Sequence, residues 1–462
     1  MTNPNPLAGL TRRDWLRRMG GGFGALGLAG VLASEARAAN NPLAPKLPHF
    51  APKAKRVIFL FMNGGPSHVD TFDPKPMLAT RSGEPAPESV RKGRNGGGKL
   101  MPTNFKFAKY GRAGMDISEL YPKLAERADD ICVVRSMYTD VPNHEPALLM
   151  MNSGVIQPTR PSLGSWLTYG LGSENQDLPG FVVLCPGKPV VGPQLWSNSF
   201  LPGIYQGTHI NNKSVDPKSI IAHVANKNLG QDAQRGQLDL LQRMNGQHLE
   251  SRYGDPQLEG RIQSLEMAFR MQFEAREAFD LTRETPATRA LYGEGKFADA
   301  CLIARRLAER GVRITQVYYG DGQPWDDHSD MENHRDHARK SDAPIAALLA
   351  DLKARGLFDE TLVIWGGEFG RTPTSQGSKG RDHHNTGFTM WLAGGGIKQG
   401  HIHGATDEFG WNAIEDRVHV HDLHATILHL MGIDHEKLTY RYSGRDFRLT
   451  DVHGEVVKGI IA

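Results

Sequence analysis

Short apolar runs of strand length alternate along the chain with longer stretches of helical spacing. Residues 56–62, Arg-Val-Ile-Phe-Leu-Phe-Met, are nearly all apolar and break at the turn Asn63-Gly64-Gly65-Pro66, the pattern of a central strand covered on both faces. Residues 131–134 and 181–184 are further short buried strands, and residues 312–319 are rich in β-branched and aromatic side chains that favour strand. The polar stretches 232–249, 257–283 and 297–310 favour helix. Ser341-Asp342 predicts an N-cap, Pro344 fits a first turn, and Ile345, Leu348, Leu349 and Leu352 keep helical spacing until Gly356. Residues 361–365 then read as a buried strand, which completes a parallel crossover unit. Residues 388–393 are the next strand, and residues 422–431 a helix stopped by Gly432. The prediction is an α/β fold with a doubly wound, mainly parallel sheet flanked by helices.

The N-terminus changes the count of what folds. Arg12-Arg13 and Arg17-Arg18 precede a glycine-rich apolar stretch and then Ala36-Arg37-Ala38, the layout of a twin-arginine signal peptide over residues 1–38. The apolar stretch is short and glycine-weakened, so a removed leader is expected, with no stable membrane span and a periplasmic or secreted location. Residues 39–54 read as a linker. Residues 55–462 form the α/β domain, with insertions at about 80–110 and 205–290. Five arginines against Asp14 and Glu35 give the leader +3, the formal charge of the whole 462-residue chain. The remainder is near neutral, which gives no electrostatic ground for a nucleic-acid partner. Three cysteines in apolar settings read as buried thiols, so any metal would be held by nitrogen and oxygen.

Candidate ligands gather in the C-terminal third. Asp326, His328, Asp330 and His334 follow one predicted strand, Glu368 and Arg371 follow another, and Asp382, His383 and His384 precede a third. Loops at the carboxyl edge of an open α/β sheet are where ligands bind. Asp330 and His334 stand four apart, so on a helix they would share a face, while Asp326 and His328 could act from a loop. Imidazoles with carboxylates suit zinc, manganese or iron better than calcium. Arg371 could clamp an anionic group through its planar fork or pair with Glu368.

The motifs Asn63-Gly64-Gly65-Pro66-Ser67-His68-Val69-Asp70, Trp325-Asp326-x-His328, Gly367-Glu368-Phe369-Gly370-Arg371-Thr372-Pro373, Gly380-Arg381-Asp382-His383 and Gly394-Gly395-Gly396 resemble those of a family of twin-arginine-exported, sulfatase-like bacterial proteins of unknown function. That family is similar in turn to the alkaline phosphatase superfamily. The resemblance implies an alkaline phosphatase/sulfatase-like fold with divalent metal at the carboxyl edge of the sheet. It implies metal ligands among Asn63, Asp326, His328, Asp330, His334, Glu368 and His383. Thr139 and Arg371 are the implied catalytic residues, and His68, Asp70, His144, Asp382 and His384 supporting or substrate-contacting ones.

Asn63 stands where that superfamily has an Asp and Glu368-Phe369 where it has Asp-His, so one ion is better supported than a two-metal clamp. For Thr139 a helix cap is the competing reading. The expected function is an exported metal-dependent hydrolase of a phosphate or sulfate ester, acting on a small anionic ester or a sulfated or phosphorylated glycan. The alternative is a catalytically degenerate member that binds an anionic glycan or an envelope partner. Nothing in the sequence sets the oligomeric state.

Overall fold

The computed structural model describes residues 41–92, 98–215, 220, 229–251 and 256–462. The expected leader lies outside the described residues, as do the first two residues of the expected linker. Residues 41–54 run along the domain surface, with Leu43 and Ala54 buried and backbone bonds from Lys46 to Leu171 and from Lys53 to Leu430.

Among the described residues the main sheet has nine strands. Its order is His401–His403, Ile131–Tyr138, Phe388–Ala393, Thr361–Gly366, Arg56–Phe61, Ile314–Tyr318, Phe181–Leu184, Thr208–Ile210, and Val418–His419 also pairs with Ile131–Tyr138. Every pairing is parallel except those of Phe388–Ala393, which runs antiparallel to both neighbours.

Both faces are covered, which is why the strands read as continuous apolar runs. Successive residues of Arg56–Phe61 point to opposite faces. Ile58 and Leu60 enter one core layer, beneath the helices Lys296–Glu309 and Asn333–Ala354. Val57, Phe59 and Phe61 enter the other, beneath His144–Ser153, Leu163–Leu171 and Val420–Leu430. The mainly parallel, doubly covered sheet is the predicted class. The segment expected to be an insertion, around 205–290, holds the helices Gln231–Ser251 and Pro256–Phe279. All three cysteines are buried and free. No helix among the described residues is long and apolar enough to cross a membrane.

The helix expected to begin at Ser341 begins instead at Asn333 and carries Pro344 in its interior. Ser341 Oγ bonds back to the His337 carbonyl at 2.9 Å, and the Asp342 carboxylate accepts N–H groups of Lys123 and Leu124, each at 2.8 Å. Ser-Asp before Pro looks like a cap locally. Here its side chains serve the preceding turn and a distant helix start.

The direction of Phe388–Ala393 decides where the ligands meet. In an all-parallel sheet a residue preceding a strand lies at the opposite edge from one that follows a strand. Because this strand is reversed, the hairpin Gly370–Gln376 with Gly380–His384 that feeds it returns to the carboxyl edge of the parallel strands. His383 thereby reaches the loops after Ile314–Tyr318 and Thr361–Gly366.

Candidate metal centre

Four side chains from three segments converge there. His144, Asp326, His328 and His383 each offer one donor atom, and these atoms all lie within 4.8 Å of one another. Asp326 Oδ1 is 2.8 Å from His328 Nε2, 3.1 Å from His383 Nε2 and 3.2 Å from His144 Nε2. The Nε2 atoms of His328 and His383 are 2.9 Å apart. Donors held about 2.0–2.1 Å from one tetrahedral ion would stand about 3.3 Å from each other, so the spacing fits a single ion.

The outer nitrogens are held in place. His144 Nδ1 bonds Glu368 Oε1 at 2.7 Å, and His328 Nδ1 pairs with Gln376 Oε1. An outer partner of this kind orients a ligating imidazole and fixes which nitrogen faces the ion. His144 Nε2 is buried and, although close to Asp326, has no partner with hydrogen-bond alignment among the described residues. A buried polar atom without a partner is costly, and a cation at this point would satisfy it. The chemistry of the donor set, three imidazoles and one carboxylate, fits a divalent transition metal.

The backbone is shaped for this approach. Gly64 has φ +115°, and a Cβ there would stand 2.6 Å from Asp326 N and 2.7 Å from Trp325 N. Only glycine lets the turn after the first strand pass beneath the Asp326 loop. Gly64 N in turn donates to Glu368 Oε1 at 3.0 Å, so the carboxylate that holds His144 is itself anchored.

Charge is tightly arranged. Arg371 is fully buried; its Nη2 meets Asp326 Oδ1 at 2.7 Å and the Gly64 carbonyl, its Nε donates to the Gly65 carbonyl at 2.9 Å, and its Nη1 to that of Arg381 at 3.4 Å. Its donors face protein, so it pairs with Asp326 rather than with Glu368 or an external anion. Burial opposes ionisation of Asp326, but the adjacent His144 and His383 imidazoles and the Arg371 charge hold its carboxyl far below the usual range. Burial likewise opposes protonation of His144, yet the Asp326 and Glu368 carboxylates outweigh it and push the pKa up to about 9. For His383 burial prevails, reinforced by the Arg371 charge, and the pKa is lowered. One side of the cluster opens to a cleft of about 520 Å³ lined by Asp140, Asn143, Thr372, Asp382 and His383.

The structure places the other expected residues elsewhere. Asp330 precedes the helix that begins at Asn333, so it does not share a helix face with His334; it accepts the Glu332 N–H at 3.0 Å. His334 is fully buried, with Nδ1 on Asp327 Oδ2 at 2.6 Å and Nε2 accepting from Ser67 N at 3.0 Å. Both its nitrogens are occupied. Asn63 Nδ2 donates to the carbonyls of Gly320 and Gly322 at 3.1 and 2.6 Å, ordering the loop toward Asp326, and its buried Oδ1 has no partner among the described residues. Glu368 holds His144 from behind, and Phe369 packs its ring 4.9 Å from those of both His144 and His383.

Asp70 forms a buried ion pair with Arg381 at 2.7 Å. His68 Nε2 bonds the Gly410 carbonyl at 2.8 Å, and its ring stacks on that of His384, which reaches the Trp411 carbonyl. Asp382 is exposed and accepts the His383 N–H at 2.8 Å. Thr139 sits just past its strand and caps no helix. Its backbone exchanges bonds of 2.8 and 2.7 Å with Asn385, and its buried Oγ1 has no partner among the described residues. His144, grouped with supporting residues from sequence, stands within the cluster. The available signal was its position: it follows the Ile131–Tyr138 strand, at the same edge as the other ligands.

The fold and this site define an α/β protein with a candidate single-metal centre at the carboxyl edge of its sheet. A family model described as "Protein of unknown function (DUF1501)" matches residues 54–461, and the chain belongs to that family. A search of curated proteins finds no match.

Among solved structures the chain is similar to the lipoteichoic acid synthase LtaP from Listeria monocytogenes, with 9% identity, TM-score 0.38, and coverage of 91% of this chain and 81% of that one. It is also similar to the PsFucS1 sulfatase from Pseudoalteromonas sp., with 13% identity, TM-score 0.37, and coverage of 94% and 75%. A protein in the alkaline phosphatase superfamily from Vibrio parahaemolyticus matches with 9% identity, TM-score 0.35, and coverage of 85% and 70%.

Proposed function

We propose that this protein is an exported hydrolase of a phosphate or sulfate ester that works with one divalent metal ion, zinc or manganese before calcium, held by His144, Asp326, His328 and His383. The observation that carries the reading is the convergence of four donor atoms within 4.8 Å, with His144 Nε2 buried 3.2 Å from Asp326 Oδ1 and its far nitrogen fixed by Glu368. A bound divalent ion at such a site supplies Lewis acidity toward an ester oxygen or an attacking water.

The chain's own residues do the rest. Arg371 neutralises Asp326 and keeps the acid ionised. Glu368 holds the His144 ring so that Nε2 faces inward. Thr139, tied through Asn385 to the segment carrying His383, is the candidate nucleophile; a water entering through the cleft beside His383 is the other.

The test is metal content of the purified mature protein, followed by hydrolysis of aryl phosphate, aryl phosphodiester and aryl sulfate. Wild type should retain roughly one ion per chain, and His383→Ala and Asp326→Asn should lose both metal and turnover. Bound metal that both variants keep would sink the assignment.

One observation favours a second reading. Four protein donors complete a tetrahedral ion, as in structural rather than catalytic zinc sites. On that reading the centre orders a non-catalytic module that binds an anionic glycan or an envelope partner. Stoichiometric metal without turnover on any of the three ester classes would select it.

A further inference from the structure

Beside the metal centre lies a second and larger cleft, of about 770 Å³, whose lining includes Tyr138, Asp140, Arg417, His419, Arg448 and Val452. Asp140 lines this cleft and also the one that opens onto His383. On its far side it shares Arg417 and Glu455 with a third cleft of about 430 Å³ that contains His401 and His403. The three therefore adjoin in a row, a segmented trough that starts beside His383. Together they exceed the ~300–1,000 Å³ that suits a small organic ligand, so the shape calls for an elongated one.

The lining narrows its chemistry. Arg417 has no carboxylate partner among the described residues, and its guanidinium lies 4.1 Å from the centre of the Tyr138 ring. Asp140 is more than half exposed and 3.4 Å from His419 Nε2. His419 Nδ1 accepts the His421 N–H at 3.2 Å, so in the neutral ring the proton sits on Nε2, on the side of the Asp140 carboxylate. The wall thus offers an imidazole N–H, the carboxylate it faces and a guanidinium side by side. Donors and acceptors alternate, and Asp140, Asp416 and Glu455 would repel a run of sulfates or phosphates. Hydroxyl groups, which both donate and accept, match that pattern.

We infer that the trough binds the hydroxyl-rich backbone of a glycan that bears isolated esters, with the ester at the metal centre and the sugar chain lying across Asp140, His419 and Arg417. The inference rests on the ester-hydrolase reading for its orientation, while glycan binding in the trough does not require turnover.

The test is retention of the full mature protein, with its metal, on immobilised hexasaccharides that are neutral, singly sulfated or phosphorylated, or sulfated on every sugar. Arg417→Ala and the cleft-filling Val452→Trp, the latter at a 70% exposed position where folding is not at stake, are measured alongside. Neutral or singly esterified chains should bind, and each variant should weaken them at least about tenfold. Failure to retain any hexasaccharide, tightest retention of the fully sulfated chain, or equal retention by both variants would overturn the inference. Retention that depends on Arg417 and Val452 in a protein with no ester hydrolysis would leave the trough supported and remove only the hydrolase.

Discussion

Two clusters of buried charge in this molecule are built to opposite ends. On one face of the sheet Arg305, Arg306 and Arg355 meet Glu284, Glu309 and Asp351, with contacts such as Arg305 Nη2 to Glu284 at 2.7 Å and Arg305 Nε to Asp351 at 2.9 Å. Three cations face three anions, and the network closes on itself. At the carboxyl edge Asp326 and Glu368 face Arg371 alone, which leaves one negative charge and a set of imidazole nitrogens pointing at each other. In the isolated chain the His144 proton fills that deficit. A buried cluster that balances itself holds helices in place, whereas one whose balancing charge is an imidazole proton could exchange that proton for a cation.

The largest effect is expected from removing a partner in the balanced cluster. Arg305→Ala leaves only Arg306 and Arg355 to balance Glu284, Glu309 and Asp351 and should cost about 3–5 kcal/mol of stability, read by chemical denaturation, while metal content stays at the wild-type level. Loss of metal in this variant would show that the two clusters are not independent.

The next effect falls on the unbalanced cluster. Glu368→Gln keeps an acceptor for Gly64 N but removes the charge that orients His144, and metal affinity should fall about 10–100-fold, the usual range for an outer partner of a ligand. An unchanged affinity in a competition titration with a chelator would contradict that role.

The pH dependence should follow in the same sense. Folded His144 has a pKa raised to about 9, so below that value a proton competes with the ion; metal affinity should climb from pH 6 to pH 9 and flatten above. The proton's own contribution to stability of the metal-free protein has the matching sign. It is fully present below the ordinary histidine range and lost as pH rises through about 9. A metal affinity that is flat across that interval would exclude His144 from the ligand set. The smallest effect is expected at Asp330, which sits outside the cluster. Asp330→Ala should leave metal content intact and change stability within about 0.5 kcal/mol; a loss of metal would restore it as a ligand.

Much of the architecture was readable from the chain because it rests on local pattern. The run at 56–62, the strand at 361–365 and the strand at 388–393 are apolar without alternation, as buried strands must be, and each lies in the sheet. Asp326, His328 and His383 could be nominated because each flanks such a strand. What failed were inferences that treated a local motif as sufficient. Asp330 and His334 have helical spacing, but the helix starts between them, and His334 is bound by Ser67, 267 residues away in sequence. Ser341-Asp342 before Pro344 has the look of a cap, but the turn it would start is already helical.

The amino-acid sequence by itself determined six of the nine described strands of the main sheet, that both its faces are covered, and which loops carry Asp and His. These follow from side-chain periodicity and turn chemistry within a few residues. Only the tertiary structure decided that Phe388–Ala393 runs backwards and so delivers His383 to the carboxyl edge, that His144 joins the cluster while His334 leaves it, and that Arg371 answers Asp326. Each of those outcomes depends on hydrogen bonds and burial between segments far apart in the chain, and no local pattern encodes which distant partner will arrive.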